Sequence, residues 1–191
     1  MDNIYNEKRN GLSISIHQDE VYESPEAWVD DGLFLVGYHK DFYVDNSVIT
    51  KEELIDYANG EEITQTEKYH IFWLEAYIHS SVRLALRKEG PFPDRKWDVS
   101  QVGAVLVSKE ECPEEADARN GALGLIDTWN NYLSGEVYGY TIENGAGDEL
   151  ESCWGFYGDY EAEALEEARG LVDYMTNNGA TDYAGQYLMQ I

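Results

Sequence analysis

The sequence predicts an α+β domain in which a mainly antiparallel sheet has two long helices packed against it. Three observations lead there. Short runs that alternate apolar and polar residues, or are apolar throughout, recur between turn residues from Leu12 to Phe156. Two longer segments, one after Cys112 and one after Asp159, carry apolar residues three and four apart. Five Trp and fifteen Tyr among 191 residues are too many for a disordered acidic tail and imply a packed core. The length suits a single domain over residues 1–191, with residues 1–10 a candidate flexible arm.

Leu12-Ser13-Ile14-Ser15-Ile16 alternates and reads as a strand. A polar stretch runs from His17 to Ser24, and Pro25 opens a short turn or helix near Trp28. Leu33-Phe34-Leu35-Val36-Gly37-Tyr38 reads as a buried strand. Thr50, with Glu53 three places later, is a capping-box pattern and starts a helix that Asn59-Gly60 would end. Strands are expected near residues 72–78 and 81–86, a loop at Gly90-Pro91-Phe92-Pro93-Asp94, and another strand over residues 101–107. Pro113, followed by Glu114 and Glu115, opens the first long helix, with acids on its positive end. Ile126, Trp129 and Leu133 mark its inner face, and Ser134-Gly135 ends it.

Residues 136–143 alternate, with Val137 on one face and Tyr138, Tyr140 and Ile142 on the other. Asn144-Gly145-Ala146-Gly147-Asp148 is a turn, and residues 149–156 return as the second strand of a hairpin. The last helix spans about residues 159–178, with Leu165, Ala168, Val172 and Met175 as its apolar stripe and Gly179 as its stop.

Charge is the outlying property. Thirty-eight Asp and Glu against thirteen Lys and Arg give a net charge of −25, where solubility asks roughly 2 to 8 of a small domain. Residues 1–109 carry a net −9 and residues 110–191 a net −16, so the second part dominates the field. Such a chain repels nucleic acid and anionic membrane, which argues against direct DNA binding, and attracts basic surfaces in a salt-dependent way. A halophilic source or drift would produce the same excess. Two cysteines make no disulfide framework, the first residues are polar and acidic, and no apolar run approaches the roughly 20 residues of a membrane span. A reducing cytoplasm is the expected compartment.

Catalytic signatures are sparse. His17-Gln18-Asp19 and His39-Lys40-Asp41 are His-x-Asp triplets that could chelate a metal on strands, or simply lie in polar loops. Cys112 and Cys153 lack a C-x-x-C context and read as part-buried thiols. Phosphate-loop, dinucleotide-binding, nucleophile-elbow and zincin motifs are missing from the sequence. No cofactor, metal or catalytic residue is assigned, and the chain is read as a non-enzyme. Arg83, Arg87, Lys88, Arg95 and Lys96 cluster, either to pair with nearby acids or to touch RNA.

The acidic faces are the strongest functional signal. Glu110, Glu111, Glu114 and Glu115 are assigned to the first long helix, Asp148, Glu149 and Glu151 to the hairpin, and Asp159, Glu161, Glu163, Glu166 and Glu167 to the last helix. Each cluster is a candidate partner-binding surface or a solvated face. Carboxylates in rows can imitate DNA, which presents one charge per roughly 1.7 Å, and can fill a cleft lined by Lys and Arg.

Five blocks carry a resemblance: Gly11 to Glu20, Tyr77 to Val82, Trp97 to Gly103, Tyr132-Leu133-Ser134-Gly135-Glu136-Val137-Tyr138-Gly139-Tyr140, and Ser152-Cys153-Trp154-Gly155-Phe156-Tyr157-Gly158. In this order they resemble a family of small acidic proteins of bacteriophages, plasmids and other mobile elements, over about residues 11–160. Some such proteins are anti-CRISPR inhibitors of type II-A Cas9, and antirestriction DNA mimics share the acidic habit. The resemblance implies evasion of host defence: binding to Cas9 with its guide RNA, or to another basic defence nuclease, and blocking of DNA binding or cleavage. The alternatives are an antirestriction DNA mimic, a metal-dependent enzyme using His17, Asp19, His39 and Asp41, and a mobile-element protein that is acidic for solubility alone. Trp154, Gly155, Tyr138 and Gly139 look architectural in this frame.

Overall fold

Alternating and apolar runs that pair in antiparallel register build two sheets, and helices cover their apolar faces. The computed structural model describes residues 2–25, 32–44, 48–93 and 95–177. In chain order the elements are β1 (Asn3–Arg9), β2 (Leu12–Gln18), β3 (Leu33–His39), β4 (Phe42–Val44), α1 (Lys51–Ala58), α2 (Gln65–Lys68), β5 (Tyr69–Ile78), β6 (Val82–Leu86) and β7 (Val99–Ser108). Then come α3 (Glu115–Ser134), β8 (Val137–Glu143), β9 (Glu149–Tyr157), a π-helical turn (Glu161–Leu165) and α4 (Glu166–Asn177). The α+β class is as expected, with every strand pair antiparallel. The strands form two sheets, ordered β1-β2-β8-β9 and β4-β3-β7-β5-β6, where one was expected. The chain divides into two compact units: a terminal unit, Met1–Glu23 with Gly135–Ile191, and a central unit, Ser24–Ser134.

In the terminal unit, β2 supplies Leu12, Ile14 and Ile16 to one face, each at most 1% exposed. β8 pairs Ile142 with Ile14 and Tyr140 with Ile16, so the two strands share that face. It is covered by Leu165, Ala168, Val172 and Met175, the stripe expected of the last helix, together with Ala164. Full burial of each large aliphatic side chain stabilises the fold by about 1.5–3 kcal/mol. On the opposite face Gly139 lies under Trp154, where an added Cβ would come within 2.2 Å of the ring. Residues 1–10, expected as an arm, contain β1, which pairs with β2 along its length. Two guanidinium clamps tie β1 to α4. Arg9 donates to both Asp173 oxygens at 2.8 and 2.6 Å, and Arg169 donates to both Glu7 oxygens at 2.9 and 2.7 Å.

In the central unit the sheet is covered on both faces. α3 lays Ala118, Ala122, Ile126 and Trp129 against Leu35, Leu74, Ala76, Leu84, Val105 and Val107. The other face packs Val36, Ala104 and Leu106 against Ile49, just before α1, and Leu54 within it. The capping box forms: Thr50 Oγ1 accepts from Glu53 N at 3.2 Å, and Thr50 N donates to Glu53 Oε2 at 2.8 Å. The Asn130 amide accepts from Leu84 N at 2.8 Å and donates to Leu84 O at 3.0 Å, so α3 closes the outer edge of β6 at that residue. Gly103 stands opposite Gly37, and a Cβ on it would lie 1.8 Å from the Val36 carbonyl oxygen.

Two helix boundaries differ from expectation. The first long helix begins at Glu115, because the first i to i−4 bond is from Ala118 N to the Glu114 carbonyl at 3.0 Å. Glu114 therefore caps the helix and Pro113 precedes it. The last helix opens as a π turn, in which Leu165 N reaches back to the Tyr160 carbonyl at 2.9 Å, so a single long α-helix is not formed there. The expected turn near Trp28, Asp94 of the expected loop, and the Asn178 and Gly179 stop lie outside the described residues.

Candidate functional site

The twelve carboxylates singled out in the sequence are all exposed. They fall in both units. Glu110, Glu111, Glu114 and Glu115 belong to the central unit, where the first three precede α3 and Glu115 begins it. The chain passes through Cys112-Pro113 there, and proline supplies no N–H to an earlier helical start. The other eight belong to the terminal unit. Asp148 ends the hairpin turn, Glu149 and Glu151 lie on the edge strand β9, Asp159 precedes the π turn, Glu161 and Glu163 lie in it, and Glu166 and Glu167 begin α4.

Tyrosines draw the terminal acids together. Tyr140 donates to Glu167 Oε1 at 3.3 Å. Burial pushes its phenol far up, and the charges of Glu167 and Glu151 push in the same direction, so a hairpin acid and a helix acid both act on this one hydroxyl. Tyr138 packs edge-on against Tyr160 at 5.6 Å, and Tyr160 lies 6.4 Å from Tyr5. The Tyr138 phenol is raised by burial, then by Glu136 and Asp159; that of Tyr160 is raised by burial, then by Glu161. This aromatic seam ringed by carboxylates was not singled out from the sequence. Its trace there is fifteen Tyr against five Phe, a bias toward rings with a polar tip.

The manner in which the acids are held matters chemically. Among the described residues only Glu166 of the twelve pairs with a cation, Arg169 at 2.6 Å. Five others are oriented by neutral donors. Asp148 accepts from Asn144 Nδ2 at 2.9 Å, Glu149 from Ser152 Oγ at 3.1 Å, and Asp159 from Glu161 N at 2.9 Å. Glu161 accepts from the Tyr160 hydroxyl at 3.4 Å, and Glu167 accepts from Tyr140. A neutral donor restricts a carboxylate's rotamers without cancelling its charge.

The other candidate groups are dispersed. His17 lies on β2 of the terminal unit, its Nε2 3.2 Å from Thr141 Oγ1, whereas His39 and Asp41 belong to the central unit, with Asp41 N donating to His39 Nδ1 at 3.2 Å. Asp19 accepts from Val21 N at 3.0 Å. Among the described residues no three His, Cys, Asp or Glu side chains gather as a metal ligand set. Cys112 and Cys153 are free, one in each unit. The basic group divides: Arg95 pairs with the buried Glu75 and Lys96 sits 5.2 Å over the Trp97 ring, while Arg83, Arg87 and Lys88 are exposed with no ion pair among the described residues. Among those residues no helix is long and apolar enough to cross a membrane.

No family model, curated protein or solved structure matches the chain.

Proposed function

We propose that the chain is a non-catalytic inhibitor of a bacterial DNA-targeting defence nuclease in the host cytoplasm, with Cas9 and its guide RNA as the target. It acts by setting carboxylates into the basic surface that receives DNA. One observation carries the reading: Asp148, Glu149, Asp159, Glu161 and Glu167 are fixed by neutral hydrogen-bond donors and stay free of cations among the described residues. A DNA mimic needs negative charge that is both uncancelled and held in place, because ordering it at the moment of binding costs affinity. An acidic surface kept only for solubility needs no such fixing. Cas9 offers matching chemistry, since paired arginines read guanine edges beside the target and a positively charged channel holds the heteroduplex. The resemblance of the Gly135 to Tyr140 and Ser152 to Gly158 blocks to mobile-element proteins supports the same reading.

The test is a DNA-cleavage assay with purified Cas9 and guide RNA, titrated with the wild-type chain and with the Glu161→Lys, Glu163→Lys double variant. Both positions are exposed, so the variant keeps its fold. Inhibition by the wild type that weakens with salt, and about tenfold weaker inhibition by the variant, is the expected result. Absence of inhibition with the protein in stoichiometric excess removes Cas9 as the target. Protection of unmodified DNA from a restriction enzyme in cells without CRISPR would then assign the antirestriction role instead.

A further inference from the structure

The central unit leaves a strand edge open beside a cationic cleft, and the acidic surface of the proposed function uses neither. β6 pairs with β5 only from Leu74 to Ile78. The ladder ends where Arg87 N donates to the Trp73 carbonyl at 2.9 Å. Lys88 then takes a left-handed backbone, φ 70°, which turns the chain away. β5 runs on to Tyr69 with β7 along one side, and among the described residues no strand lies along the other. The N–H and C=O of a strand residue share a side, and that side repeats every second residue. Because the Trp73 carbonyl faces β6, both polar backbone groups of Ile71 face the open side.

A cleft of about 340 Å³ occupies this place, with Ile71, Phe72, Trp73, Arg87, Lys88 and Arg119 in its wall. The wall has three cations against one acid, Glu89, which pairs with Arg119. In a chain of net −25 a local excess of positive charge, with Arg87 and Lys88 in no ion pair among the described residues, is a reversal of sign. Charges commonly blunt an exposed edge against like partners. Here the unit as a whole is acidic, with 21 acids against ten bases, and cations at the edge favour an acidic strand.

We infer that this edge binds an extended acidic peptide of a partner protein, which adds as a strand beside Tyr69 to Trp73 and sets its carboxylates on Arg87, Lys88 and Arg119. Backbone bonds to Ile71 supply register, and the cationic rim supplies selectivity. The edge is the reason to favour a peptide over a nucleic acid, which has no strand backbone to pair with it.

The probe is a fluorescein-labelled decapeptide of alternating glutamate and valine, read by anisotropy against the full chain. A lysine–valine peptide and a single-stranded oligonucleotide serve as comparisons. The acidic peptide should bind in preference to both, and the Arg87→Ala, Lys88→Ala double variant should bind it about tenfold more weakly, as expected for two exposed charge contacts. Both side chains are exposed, so loss of fold does not confound the variant. By NMR hydrogen exchange the Ile71 amide should exchange fast in the free protein and slow on adding the peptide. Equal binding of the lysine peptide, unchanged binding by the variant, or an Ile71 amide already protected without peptide overturns the proposal. Preferential binding of the oligonucleotide overturns it in favour of a nucleic-acid site.

Discussion

The terminal unit holds 17 acids and three bases in 80 residues, and the central unit 21 acids and ten bases in 111. Both are antiparallel sheets backed by helices, yet their charges are arranged differently. In the terminal unit Arg9 and Arg169 clamp β1 to α4 and take up Glu7, Glu166 and Asp173. Five further acids on its surface, Asp148, Glu149, Asp159, Glu161 and Glu167, are steered by asparagine, serine, backbone and tyrosine donors. In the central unit Arg95 enters the fold to meet Glu75, and other cations stay on the surface at a strand edge. Net charge alone would assign both units one kind of partner. The placement of the few bases is what separates the two proposals: a cationic partner for the terminal unit and an anionic one for the central unit.

The units also differ in what crowds a glycine within each sheet, and a pair of glycine variants breaks that comparison most strongly. In Gly103→Ala the new Cβ would lie 1.8 Å from the Val36 carbonyl oxygen, a backbone atom that cannot move without disturbing the β3–β7 ladder. In Gly139→Ala the closest obstacle is the Trp154 ring at 2.2 Å, part of a side chain that can rotate, and the backbone contact, to the Cys153 carbonyl oxygen, is longer at 2.8 Å. Overpacking costs about 1–3 kcal/mol, more where nothing can yield. Urea unfolding should show a loss of about 3 kcal/mol or more for Gly103→Ala and a loss within that range for Gly139→Ala. Equal losses would remove the distinction between backbone and side-chain crowding.

The next effect concerns Glu75. It is only 4% exposed, and its carboxylate oxygens lie 2.5 and 2.6 Å from Arg95 Nη2. Arg95→Ala leaves a buried charge unanswered and should cost about 2 kcal/mol, less than a fully buried pair because the guanidinium is partly exposed. Glu75→Leu combined with Arg95→Leu should recover most of the loss, since an apolar pair removes the desolvation problem. A double variant no more stable than the single one would mean that the site depends on the ion pair itself. The sequence groups Arg95 with four other bases and allows pairing with nearby acids; Arg95 pairs so, and what is not legible is that its partner is the buried Glu75. Glu75 sits in an otherwise apolar run, Ile71 to Ile78, and that isolated acid was the available signal.

Legibility followed the strength of the local pattern. The capping box at Thr50, the alternation of β2 and the stripe on α4 are each specified by residues within a few positions, and each formed as read. β1 is not legible because Asn3 to Arg9 has only Ile4 and Tyr5 as apolar residues, one on each face, and is a strand by pairing with β2. The split into two sheets was missed because period-2 patterns mark strands without naming their neighbours. The acidic residues were legible as a list. Their fixing by Tyr140, Tyr160 and Asn144 was not, because it depends on contacts between the hairpin, its turn and the last helix.

The smallest effect, and the one that isolates the terminal unit's own electrostatics, is the pH response of the β1–α4 clamps. Arg169 donates to Glu7 and holds its carboxyl below the usual value of 4.5, and Arg9 does the same to Asp173, whose usual value is 3.8. A carboxylate held low in the folded state favours folding above its unfolded pKa, and that gain is lost as pH falls through the folded one. Self-repulsion has the opposite sign: protonating other surface acids reduces the −25 and relieves strain between like charges. The thermal midpoint of the wild type should therefore hold or rise from pH 7 toward 5 and fall below about 4.5. Arg169→Ala should start a few degrees lower at pH 7 and lose less on the acid side, so the two curves converge as Glu7 protonates in both. Curves that stay parallel through the acid limb would show that Glu7 is not the titrating group. The cost of the acidic surface would then have to be sought in the unpaired carboxylates of the hairpin and the π turn.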